Sequence, residues 1–192
     1  MMTREQWLLK LAKRMEVLLF KPAGATLPAY RVTCGWPSGR ALLRKNRSTG
    51  QCFDASCSGD KTTELIVSMY IDDPMKAAGI LAHEMVHAVV GNEAGHGAIF
   101  KQVALAIGLE GKMISTVAGE CFIILIDVVL GKLGPYPHAS VDFDKMAKKQ
   151  TTRMIKVVCS CSEYTVRMSR KWINDAGCPG CAVCGETMAE AV

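Results

Sequence analysis

The stretch from Asp72 to Val90 constrains this chain more than any other. It opens on Asp72-Asp73-Pro74, an acidic cap followed by proline at the first helical position, so a helix starts here. Ala77, Ala78, Ile80, Leu81, Met85, Val86, Val89 and Val90 nearly surround that helix with apolar side chains, which predicts burial in a core. Inside the run stands His83-Glu84-Met85-Val86-His87. Two histidines four residues apart lie one turn above each other on one helix face and can grip one metal ion. A glutamate beside the first can reach a water on the open metal position and act as general base. An ordinary helix carrying two unrelated histidines is the plainer alternative. Burial counts against it, because unpaired polar rings are costly in a core.

A third ligand tips the balance. The metzincin pattern would put a histidine at position 93, but Glu93 stands there and Val90 takes its glycine position. His96 follows instead, past Gly91 and Gly95, which can end one helix and turn the chain back. Gly97 and Phe100 lead into a second helical stretch through Ile107. The run HEMVHAVVGNEAGHGAIFK resembles the SprT-like metallopeptidases, which pair this helix motif with a later HG-x-x-F histidine. The resemblance implies that His83, His87 and His96 are the ligands of a catalytic Zn2+ and Glu84 the catalytic base. It also implies an α+β, zincin-like domain of helices packed on a small mixed sheet, followed by a small zinc ribbon. In such enzymes the strand before the metal helix borders the cleft. On that basis Glu64 to Ile71 (ELIVSMYI), the best strand by its branched and apolar residues, is expected to bind an extended substrate by strand addition.

An apolar content of 49% with 6% aromatics is ample for a core and argues against global disorder. The nine cysteines would suit a secreted disulfide scaffold. Against that, the count is odd, five cysteines crowd between Cys159 and Cys184, and the N-terminus reads as a charged helix rather than a signal peptide. Metal binding in a cytoplasmic chain is the expectation, with no membrane association and a monomeric state.

Thr3 with Gln6 reads as a capping box. Trp7, Leu8, Leu11, Met15, Leu18 and Leu19 form an apolar stripe opposite Lys10, Lys13 and Arg14, ending at Lys21-Pro22. Tyr30 to Cys34, Ala41 to Arg44 and Gln51 to Phe53 are short strand candidates, with Ser48-Thr49-Gly50 as a turn. Cys121 to Leu130 is an apolar run too short to span a membrane and predicts a buried helix. Gly134-Pro135-Tyr136-Pro137-His138 is a stiff turn, whose Tyr136 or His138 are candidates to reach the cleft and hold an oxyanion.

These residues define a domain over 1–140. Residues 141–152 (VDFDKMAKKQTT after Ser140) read as a linker, and 153–192 as a second domain. There Cys159-Ser160-Cys161 and Cys181-Ala182-Val183-Cys184 provide two thiolate pairs, enough to close a tetrahedral structural Zn2+ that a unit this small needs to fold. Cys178 competes through Cys178-Pro179-Gly180-Cys181; Gly185 after Cys184 favours the later pair. Lys145, Lys148, Lys149, Arg153, Lys156, Arg167, Arg170 and Lys171 gather around this module, with Tyr164 and Trp172 as stacking platforms. Of these, Arg167, Arg170, Lys171 and Trp172 are the candidate nucleic-acid contacts, against the alternative of a solvated basic face. The phrase YTVRMSRKW again resembles the SprT-like ribbon.

The resemblance thus implies a zinc endopeptidase that cleaves DNA-associated or DNA-crosslinked proteins, with single-stranded or damaged DNA as a partner. Two readings compete. One is a non-enzymatic DNA- or transcription-associated zinc protein, which has no need of Glu84. The other is a zinc hydrolase of small amides, which calls for a closed, buried pocket.

Overall fold

A computed structural model describes residues 2–37, 47–142, 145, 154–161 and 164–191. The strand expected over Ala41 to Arg44 lies outside the described residues, as does most of the 141–152 linker, with Lys148, Lys149 and Arg153. The chain divides into two compact units, Met1–Phe143 and Asp144–Val192, each a mixture of helices and small sheets.

In the first unit, α1 spans Arg4–Met15 and opens on the expected capping box, with Thr3 Oγ1 accepting from Gln6 N–H and Gln6 accepting from Thr3 N–H. It runs straight into a π-helical turn, Glu16–Phe20, where Lys21 N–H donates to Glu16 C=O. Bonding to i−5 advances the inward register by about one residue. Leu19 and Phe20 therefore enter the core, while Leu18, expected inside on a 3.6-residue period, stands outside at 42% exposure.

Strands β1 (Tyr30–Gly35), β2 (Gly50–Phe53) and β3 (Thr63–Ser68) form one sheet in the order β1-β3-β2. β1 runs parallel to β3, and β2 pairs antiparallel along the other side of β3. The strand expected to receive substrate, over Glu64 to Ile71, is therefore the central one, with both of its edges taken. It cannot add a strand. Among the described residues β1 and β2 are the outer strands with an edge to offer, and Gly50 belongs to β2 rather than to a turn.

Helix α2, Pro74–Val90, packs across this sheet. Asp73 caps it by accepting from Lys76 N–H at 2.7 Å, a contact worth about 1 kcal/mol in such positions. Ala77, Ala78, Leu81, Ala82, Met85 and Val86 are buried, and each leucine-sized side chain removed from water contributes roughly 1.5–3 kcal/mol. Gly91 and Gly95, both at positive φ, reverse the chain into α3, Ala98–Ala106.

A hairpin follows, β4 (Leu109–Lys112) and β5 (Ser115–Ala118), and then α4, Glu120–Leu133. The predicted buried helix is only half buried. Phe122, Ile126 and Val129 face the core, whereas Ile123, Ile124, Leu125 and Val128 are exposed. An all-apolar run carries no periodic signal of which face turns inward. No described helix is long and apolar enough to cross a membrane.

The second unit holds β6 (Ile155–Val158), β7 (Thr165–Met168), α5 (Arg170–Ala176) and a short β8 (Ala189–Glu190), in a sheet ordered β7-β6-β8. Its core among the described residues is Val157, Cys159, Cys181 and Met188. That is too little apolar surface to hold a fold by itself.

Candidate metal centres

α2 delivers His83 and His87 from one face, and the glycine reversal brings His96 back over them just before α3. His96 Nε2 lies 3.2 Å from His83 Nε2 and 3.2 Å from His87 Nε2. Phe100 packs against all three rings, with centroids 4.6 to 5.0 Å away, and buries the side away from solvent. Nitrogens about 2.0–2.1 Å from a tetrahedral ion would stand about 3.4 Å from each other, so the donor set fits one. Burial, followed by the neighbouring His87 and His96, pushes the His83 ring down to about 3. Burial and His96 push His87 down to about 4, and burial lowers His96. All three rings are thus neutral, with lone pairs free to converge on a cation. Among the described residues the group comprises these three histidines, without Glu93 or Glu110.

Glu84 is buried at 7% exposure beside this triad. Burial lifts its carboxyl to about 8, and a positive charge on the histidines would act in the opposite direction. The space for it comes from Gly50 of β2. A Cβ there would overlap the Glu84 carboxyl and lie 2.7 Å from Ile80 Cγ2. The close approach of strand to helix therefore requires glycine. Gly50→Ala is expected to cost about 1–3 kcal/mol, as overpacking does, and to displace Glu84 while leaving the histidines metallated. Urea midpoints and metal content would check this; an unchanged midpoint with normal hydrolysis would refute it.

The triad lies in a cleft of about 950 Å³ lined on one side by residues 47–52 and on the other by Ile114, Ser115 and Thr116. Thr49 C=O accepts from Ser68 N–H toward β3. Alternation then turns the backbone groups of Gly50 and Cys52 to the edge that no other described strand pairs with, where Asn92 Nδ2 donates to Cys52 C=O at 3.2 Å. His96 and Ile114 are exposed, so this is no closed pocket.

Tyr136 and His138 are elsewhere. The Tyr136 ring lies 4.6 Å from that of Trp7, His138 Nε2 sits 2.9 Å from Met69 O, and neither lines the cleft. Trp7 Nε1 donates to Gly134 C=O at 3.0 Å, which ties the whole turn to α1. The turn is structural, and the oxyanion role does not fall to it.

In the second unit Cys159, Cys161, Cys181 and Cys184 form the other ligand group, and Cys178 is not part of it. Cys159 Sγ is 3.2 Å from Cys161 Sγ and 3.5 Å from Cys184 Sγ, and Cys161 Sγ is 3.8 Å from Cys181 Sγ. Thiolates about 2.3 Å from a tetrahedral ion stand about 3.8 Å apart, so this set fits as well. Gly185 turns at φ +78° and donates to Cys181 C=O. Backbone N–H groups of Cys184 and Val183 draw the Cys181 thiol down to about 6.

The structure separates the four basic-face candidates. Arg167 is exposed and stands directly across from exposed Lys156 in the β6–β7 register. Lys171 lies over the ring of Trp172, which is 58% exposed. Arg170 instead donates both terminal nitrogens to Glu190, at 2.6 and 2.8 Å, so its charge is already matched within the unit.

Sequence reasoning missed Gly50, Asn92 and Thr116. The hairpin carrying Thr116 turns through Met113-Ile114, without the asparagine or glycine that marks a two-residue turn. Comparison with protein-family models, curated proteins and solved structures returned no match for this chain.

Proposed function

We infer that this chain is a zinc endopeptidase of SprT-like, zincin-like character that acts on DNA-associated or DNA-crosslinked proteins. One observation carries the reading: a three-histidine ligand set with a buried glutamate beside it, in an open cleft bordered by a strand edge. His83, His87 and His96 would hold the catalytic Zn2+, and Cys159, Cys161, Cys181 and Cys184 a structural one. Zinc so held supplies a Lewis acid that acidifies water toward about 7 and polarises a carbonyl. Glu84 takes the proton of the attacking water and passes it to the leaving amine. The outer edge of β2, unpaired among the described residues, orients an extended peptide through the backbone groups of Gly50 and the N–H of Cys52. The exposed His96 and Ile114 favour a polypeptide over a small amide, which would use a closed pocket.

The nucleic-acid half rests on the second unit. Like charges directly opposite on a sheet repel, and Lys156 with Arg167 are such a pair, which a phosphate backbone would relieve. Trp172 offers an exposed ring for a base to stack on. In the decisive assay, the zinc-loaded full chain is incubated with a DNA-binding protein, with and without single-stranded DNA. Cleavage that DNA stimulates is the expected result. Cleavage indifferent to DNA would remove the nucleic-acid half, and no cleavage in either arm would remove the peptidase.

A further inference from the structure

The histidine triad is supported unevenly. His83 Nδ1 lies 2.9 Å from Thr116 Oγ1, whereas His87 Nδ1 is buried with no partner among the described residues. A neutral imidazole carries one N–H. With Nε2 turned to the shared centre, that proton sits on Nδ1, so His83 donates and the Thr116 hydroxyl oxygen accepts. Packing against Phe100 limits the tilt of the ring but not its flip about the Cβ–Cγ axis, which would carry Nε2 away. A hydrogen bond at Nδ1 opposes that flip, and once Nε2 faces a metal it holds the proton on Nδ1 against the Thr116 oxygen.

The acceptor is itself well anchored. Thr116 pairs with Gly111 in the β4–β5 hairpin, whose two-residue turn leaves little slack. At the base Gly119 N–H donates to Gly108 C=O at 2.9 Å, and a Cβ on Gly119 would come within 2.7 Å of that carbonyl. The strands are thus held close at their root, and the hairpin presents Thr116 to α2 as a fixed arm.

We propose that Thr116 is a positioning residue of the catalytic metal site, fixing the ring and tautomer of His83 from the hairpin. This rests on the reading that the three histidines hold a metal. Cobalt reports the two sites of the full-length protein separately, because thiolate charge-transfer bands belong to the cysteine site alone. Thr116→Val should weaken cobalt binding at the histidine site by about 10- to 100-fold, the usual effect of losing such a partner. Thr116→Ser should restore it to within about threefold, and the cysteine site should be unchanged in both. The ring N–H of His83, assigned to Nδ1 by ¹⁵N NMR in the wild type, should lose its slow exchange in the valine variant. Should Thr116→Val fail to fold, Thr116→Ala tests the same loss, again against rescue by serine. Equal cobalt affinity and an unchanged His83 signal in the valine or alanine variant would overturn the proposal while leaving the metal site standing. A wild type that takes up cobalt on cysteines alone would overturn both.

Discussion

Glu84→Gln is expected to lower peptide hydrolysis by about 10²–10⁴-fold, the range a positioned general base supplies. Glutamine keeps the volume of a side chain that is 7% exposed, so the cavity beneath Gly50 stays filled and α2 stays packed. It removes only the ability to take and return a proton. The ligand group comprises His83, His87 and His96, so metal content should remain at the wild-type value. His96→Ala should show the reverse order of events, with the histidine-site metal lost first and activity with it. Paired measurements of metal content and turnover separate the two variants. Wild-type turnover in Glu84→Gln would end the peptidase reading, and a metal loss confined to Glu84→Gln would make Glu84 a ligand instead.

Cys184→Ser should unfold the second unit. Two of the four buried residues at its centre, Cys159 and Cys181, belong to the four-cysteine group that could hold a metal, leaving Val157 and Met188 as apolar fill among the described residues. Such a core does little to offset the conformational entropy of ordering the unit, and a metal on the four cysteines would supply the difference. Metal content should fall from two ions to one, and amide protection across β6, β7 and β8 should disappear. Cys178→Ser should keep both ions, since Cys178 only packs beside the cluster. Hydrolysis of a short unstructured peptide should persist in Cys184→Ser, because the histidines and Glu84 belong to the other unit. DNA binding should fall with it. Protected amides in this unit after loss of the metal would show a core stronger than its buried residues provide.

The sequence by itself determined what is local. Thr3 with Gln6 and Asp73 with Pro74 placed two helix starts, because a cap is a contact between residues three apart. The spacing of His83 and His87 defined two of the three histidines for the same reason, and the paired cysteines supplied the four members of the other group. Tertiary structure decided whatever depends on neighbours distant in the chain. β3, expected to offer an edge to substrate, became the central strand between β1 and β2, since strand order is set by pairing and not by the composition of one strand. The π-turn after Met15 rotated Leu18 outward, and α4 exposed half of an apolar run that has no period to read. Gly185 had already favoured Cys184 over Cys178, and the fold gathers Cys184 with Cys159, Cys161 and Cys181 while leaving Cys178 outside the group. Gly50 beneath Glu84 and Thr116 beside His83 lie more than thirty residues from the groups they touch. Neither belongs to a local motif, because a close approach or an accepted hydrogen bond is a property of two surfaces brought together by folding.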